Sequence, residues 1–99
     1  MTTNLQQQFE HYSNLIRNAP TEQKQKIDND IKLKLYIYYK QSTIGDINIP
    51  KPNNTSLLSS FSPFQNEAEI KWDGWNSLKG ISKDESMKTY IMLAKQLIN

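Results

Sequence analysis

LKLYIYYKQSTIGD, residues 33–46, places three tyrosines and a lysine within five positions: Tyr36, Tyr38, Tyr39 and Lys40. On a helix, Tyr36, Tyr39 and Lys40 stand at i, i+3 and i+4 and share one face. That face combines flat aromatic surface, phenolic hydroxyls and a fixed positive charge, which suits a base with a phosphate beside it. The same spacing suits core aromatics whose hydroxyls reach water, a common role for tyrosine. Spacing alone leaves both readings open. The stretch ends in Gln-Ser-Thr-Ile-Gly-Asp, where Gly45 is the expected left-handed residue past the helix end.

The helix containing this stretch is expected over residues 29–44, capped by Asp28 or Asn29. Ile31, Leu35 and Tyr38 form one line along it, and Leu33, Tyr36, Ile37 and Lys40 form another. A helix with so much apolar circumference is covered on more than one side. Part of that cover can be a bound ligand.

Working outward, residues 3–18 carry Leu5, Phe9, Tyr12 and Ile16 in one apolar stripe, with Thr2 or Thr3 as cap and Pro20 enforcing the stop. Residues 19–28 are hydrophilic; Thr21 could open a short helical turn, but a connecting loop is the favoured reading. Residues 45–66 hold Pro50, Pro52 and Pro63 and read as a long loop, a length usually tied to function or mobility. Its Ile47, Ile49, Leu57, Leu58, Phe61 and Phe64 either pin it to the bundle or form an exposed patch. A third helix over 67–79 presents Ile70 or Lys71, then Trp72, Trp75 and Leu78, and stops at Gly80. A fourth over 83–98 opens with a Ser82/Glu85 capping box and continues with Met87, Tyr90, Ile91, Ala94, Leu97 and Ile98 on one face. With no strand alternation, the expected class is an all-α bundle of four helices forming a single domain over 1–99.

The composition narrows the function classes. With 36% hydrophobic and 22% charged residues, the chain is ordinary for a soluble globular protein. It has no cysteine, which removes disulfides, thiolate metal sites and a cysteine nucleophile. A formal charge of +2, spread along the sequence, is too weak for a nucleic-acid stripe. No apolar run is long enough to cross a membrane, and MTTNLQQQFE lacks a signal-peptide core. The expectation is a soluble, cytoplasmic protein without stable membrane insertion. Asn53-Asn54-Thr55 matches a glycosylation acceptor by chance in an asparagine-rich chain. The one histidine, His11, is expected on the surface. Asp28, Asp30, Glu67, Glu69, Asp84 and Glu85 all fall near helix starts, where carboxylates favour the dipole. No phosphate-cradling glycine loop and no metal-ligand spacing is present. Catalysis, metals and cofactors are therefore not expected.

Two segments resemble the acyl-CoA-binding protein family. The first is Tyr-x-x-Tyr-Lys-Gln-x-Thr-x-Gly-Asp at 36–46. The second is Lys-Trp-x-x-Trp-x-x-Leu-Lys-Gly at 71–80, followed by Ser-Lys-x-x-x-Met-x-x-Tyr-Ile at 82–91. Together they span about a third of the chain, and residues 9–20 fit more loosely. The resemblance implies a bundle with a bowl-like surface that holds a long-chain fatty acyl-CoA thioester. By motif match, Tyr39 would pack on the adenine, and Lys40 and Lys71 would neutralise the 3′-phosphate. Tyr36 and Tyr90 would offer hydroxyls to phosphate and ribose. Leu33 and Phe9 would face the acyl chain. It further implies a monomeric, non-catalytic carrier and buffer between enzymes that make and use acyl-CoA.

The chain departs from the pattern in three places. Asn14 stands where members often have lysine, implying one phosphate contact fewer, and the 19–28 and 47–66 connections are longer. A helical protein-interaction module using residues 47–66, its ligand groove degraded, is the alternative from another class.

Overall fold

The computed structural model describes residues 4–51 and 67–98, and among these the regular elements are all helices. Helices run α1 Asn4–Arg17, α2 Thr21–Gln25, α3 Asn29–Thr43, α4 Glu67–Asn76 and α5 Lys83–Ile98. The four longer ones match the four expected. Thr2, Thr3, Asn53, Asn54, Thr55, Leu57, Leu58, Phe61 and Phe64, with the Ile98 side chain, lie outside the described residues.

Helix α3 is the shared wall. It packs against α5 on one side and α4 on the other, and α1 packs against α5. Phe9, Leu35, Tyr90, Ile91 and Ala94 form one buried cluster, with Ile31 and Tyr38 packed on it. Ile37, Trp75 and Leu78 form the second, joined by Leu33, Tyr36 and Ile47. The two apolar lines of α3 thus serve two cores, with Tyr38 touching both. This is the arrangement that a helix with little polar circumference requires.

Two local readings are corrected. The 19–28 connection contains α2, a single turn that follows Pro20 at φ −57° and buries none of its residues. Pro20 is the N-cap, with ψ 147°, and its carbonyl accepts from Lys24 N–H at 3.0 Å, so it opens this turn rather than merely closing α1. The third helix stops at Asn76 rather than 79. Its last turn tightens into i→i−3 bonds, Leu78 N–H to Trp75 O at 3.0 Å and Lys79 N–H to Asn76 O at 3.1 Å.

A buried polar latch fixes α3 against the α4–α5 turn. Gln41 is fully buried. Its Nε2 donates to Asp46 Oδ1 at 2.9 Å and to Ile81 O at 2.8 Å, and its Oε1 accepts from Trp75 Nε1 at 3.1 Å. Trp75 Nε1 also donates to Gly45 O at 2.9 Å, and Gly80 N–H donates to Asp46 Oδ1 at 2.9 Å. Gly45 and Gly80 both adopt φ +95°, where a side chain would be strained. At the start of α5, Ser82 Oγ accepts from Glu85 N–H at 3.1 Å, the serine half of the expected box. The Glu85 carboxylate turns toward Lys88 Nζ, 3.5 Å away. Asp28 is the cap of α3, its side chain accepting from Asp30 N–H.

Candidate functional site

The helix spacing that puts Tyr36 and Lys40 on one face also lets the lysine fold back over the ring. Lys40 Nζ lies 5.8 Å from the Tyr36 centroid and 5.8 Å from that of Trp75. Lys71 reaches the same tyrosine from α4, its Nζ 4.9 Å from the Tyr36 centroid. Two ammonium groups far apart in sequence therefore converge on one aromatic ring, where the negative π-face favours them. They are brought together by the second apolar cluster, which docks α4 on α3 through Trp75, Leu78 and Ile37.

Tyr36, Lys71, Trp72, Trp75, Glu67, Ala68 and Ile49 line a concavity of about 470 Å³. Glu67, one turn before Lys71, holds its Nζ at 3.0 Å in an exposed pair. Trp72 Nε1 donates to Ile49 O at 2.8 Å, and Lys51 pairs with Asp73 at 3.2 Å, so the chain after α3 is tied to α4. Ile47 packs into the second cluster as one reading of the loop required; the Ile49 side chain stays exposed and contributes its carbonyl instead.

On the other side of Tyr36, a smaller concavity of about 240 Å³ is lined by Ser13, Ile16, Arg17, Leu35, Tyr36, Tyr39 and Tyr90. Tyr39 stacks on Phe9, with centroids 5.6 Å apart and planes at 28°, and Phe9 meets Tyr90 edge-on at 5.1 Å. Phe9 and Tyr90 are each 4% exposed, so they form a rigid floor beneath the more open Tyr39 ring. Burial pushes the Tyr90 phenol up to about 12; Tyr39 adds to the rise and Arg17 opposes it. Tyr90 therefore remains a protonated donor throughout the physiological range.

The structure thus places Tyr36, Tyr39, Lys71 and Tyr90 in the walls of two hollows that share Tyr36, while Lys40 lines neither and reaches them only through its position over the Tyr36 ring. It does not bring Leu33 and Phe9 together. Leu33 belongs to the α3–α4 cluster and Phe9 to the α1–α3–α5 cluster, on different sides of α3. A larger hollow, about 730 Å³, lies elsewhere, beneath α2, with Leu15, Ile16, Ile27, Ile31 and Leu97 among its walls. It meets the small concavity only at Ile16. Its walls carry none of the tyrosine–lysine pairs, so we place the site by side-chain chemistry rather than by size.

Sequence reasoning missed Arg17. Its Nη2 donates to Tyr39 Oη at 3.1 Å, which puts a guanidinium on the rim. The available signal was the three-residue step from Asn14 to Arg17, one helix face. His11 is exposed, as its position suggested. Among the described residues, no group of three or more His, Cys, Asp or Glu side chains could hold a metal, and no helix is long and apolar enough to cross a membrane.

Residues 6–94 match the family model described as acyl-CoA-binding protein. The chain is 37% identical over 93 residues to acyl-CoA-binding domain-containing protein 3 of Oryza sativa subsp. japonica, covering 94% of this chain but 52% of that one. It therefore spans about half that relative's length. It is 36% identical over 94 residues to acyl-CoA-binding domain-containing protein 1 of the same plant, covering 95% and 89%. Among solved structures, Oryza sativa acyl-CoA-binding protein 2 superposes with a TM-score of 0.73 at 34% identity, covering 96% of this chain and 91% of that one.

Proposed function

The chain belongs to the acyl-CoA-binding protein family, and on that premise we propose that it binds long-chain fatty acyl-CoA thioesters, without catalysis. It would act as a cytoplasmic carrier and buffer, a monomer passing ligand between acyl-CoA-producing and acyl-CoA-using enzymes. The observation that supports this most is the meeting of Lys40 and Lys71 at the Tyr36 ring.

In this reading the adenine lies on Tyr39, which Phe9 holds flat from below. The 3′-phosphate sits between the Lys40 and Lys71 ammonium groups, with the Tyr36 hydroxyl alongside. Tyr90, kept protonated, donates to ribose or phosphate. The acyl chain follows apolar surface beyond the head group, with Leu33 bordering it.

The energetics divide the work. Burying a methylene stabilises by about 0.8 kcal/mol, so a sixteen-carbon tail contributes roughly 10 kcal/mol before ordering costs. Each charge-assisted hydrogen bond from a lysine adds about 1.5–3 kcal/mol. The tail therefore supplies most of the affinity, and the lysines discriminate against free fatty acids, which bring no phosphate.

Calorimetry with palmitoyl-CoA tests the assignment. Lys40→Ala and Lys71→Ala should each weaken binding by about ten-fold or more, with thermal midpoints little changed because both side chains are partly solvated. Unchanged affinity in both variants would overturn the site.

A further inference from the structure

We propose that Arg17 is a third phosphate-binding cation of this site, entering from α1 at the concavity that Tyr36, Tyr39 and Tyr90 share. This rests on the acyl-CoA reading above and goes beyond it.

Arg17 is the last residue of α1. Its guanidinium spends one of five N–H donors on Tyr39 Oη, at 3.1 Å. It lies close enough to Tyr90 to oppose the rise of that phenol. It lines the concavity that Tyr36, Tyr39 and Tyr90 share. Among the described residues, no carboxylate lies within ion-pair distance of it, whereas Lys71 is held by Glu67 and Lys51 by Asp73.

An always-charged fork with unspent donors, anchored to a phenol and without a carboxylate, is suited to bidentate phosphate binding. Its placement also answers a deficit in the sequence. Asn14, one turn earlier on α1, brings no charge to this rim, and Arg17 supplies one from the same face. Tyr36 lines both hollows, so a nucleotide lying across it would meet Lys71 in one and Arg17 in the other, with Lys40 near the same ring.

A cation at a helix C-terminus also favours the dipole, and Arg17 could act merely by steadying Tyr39. The test separates these roles. Palmitoyl-CoA is titrated by calorimetry into the wild type, Arg17→Gln, Arg17→Lys and Tyr39→Phe, at low salt and at about 1 M salt, where the Debye length is about 3 Å. Arg17→Gln should lose about ten-fold at low salt, and the gap to wild type should close at high salt. Arg17→Lys, keeping the charge without the fork, should recover part of the loss. Tyr39→Phe, which breaks the phenol contact but spares the charge, should retain the wild-type salt dependence. An unchanged Arg17→Gln overturns the proposal. So does a loss that persists at high salt, or one in which Tyr39→Phe flattens the salt dependence equally. Absence of any wild-type binding overturns the carrier reading itself, which is a different result.

Discussion

At the scale of single residues, the 36–46 motif divides into two jobs. Tyr36 and Tyr39 line the hollows and Lys40 lies over the Tyr36 ring, while Gln41, Gly45 and Asp46 hold the end of α3 to the α4–α5 turn. Helical spacing made the first group legible, because i, i+3 and i+4 share a face whatever the tertiary structure. It could not reveal the second, whose partners Trp75, Gly80 and Ile81 lie 30 to 40 residues away. Gln41→Leu should therefore cost about 1–3 kcal/mol, since it removes the three hydrogen bonds of a fully buried amide and leaves the Ile81 carbonyl short of a donor. Urea unfolding measures it, and a variant as stable as wild type would show the latch to be ornamental. Asp46 gives a pH signature. The Gly80 amide, then Gln41 and, more weakly, Lys79, hold its carboxyl below the ordinary value of 3.8. A carboxyl lowered in the folded state stabilises above its unfolded value, and that contribution fades as pH falls through the lower, folded one. Asp46→Asn should flatten the acid side of the stability profile below about pH 4 and leave its slope near neutrality unchanged.

At the scale of elements, α3 was readable because its two apolar lines require cover on more than one side. Shorter features were not. A one-turn helix such as α2 is marginal on propensity alone and depends on Pro20 and on Lys24, whose Nζ donates to Arg17 O at 2.6 Å. The start of α4 was readable only in part. Glu67 was expected to serve the helix dipole, and in three dimensions it also occupies Lys71. A ligand phosphate must compete with that carboxylate for the same ammonium. Glu67→Gln should therefore tighten palmitoyl-CoA binding by about two- to five-fold, the range of an exposed pair. It should also lower the melting temperature slightly, through loss of a charge near the α4 N-terminus. Weaker binding in this variant would mean that Glu67 orients Lys71 rather than competing for it.

At the scale of the whole molecule, the proposed site depends on α3 belonging to both cores. Docking α4 on one face delivers Lys71 to Tyr36, and docking α1 and α5 against the other delivers Arg17, Phe9 and Tyr90 to Tyr39. Phe9 was legible as an apolar position of α1, but its role as the floor under Tyr39 depends on where three helices meet. The central claim is that a nucleotide thioester spans these two hollows. Chemical-shift mapping during titration with palmitoyl-CoA tests it most directly. The account predicts saturation at one ligand per chain, with the largest shifts at Tyr36, Tyr39, Lys40, Lys71 and Tyr90. Shifts confined to the hollow walled by Leu15, Ile27 and Leu97, or no saturable shift at all, would contradict it.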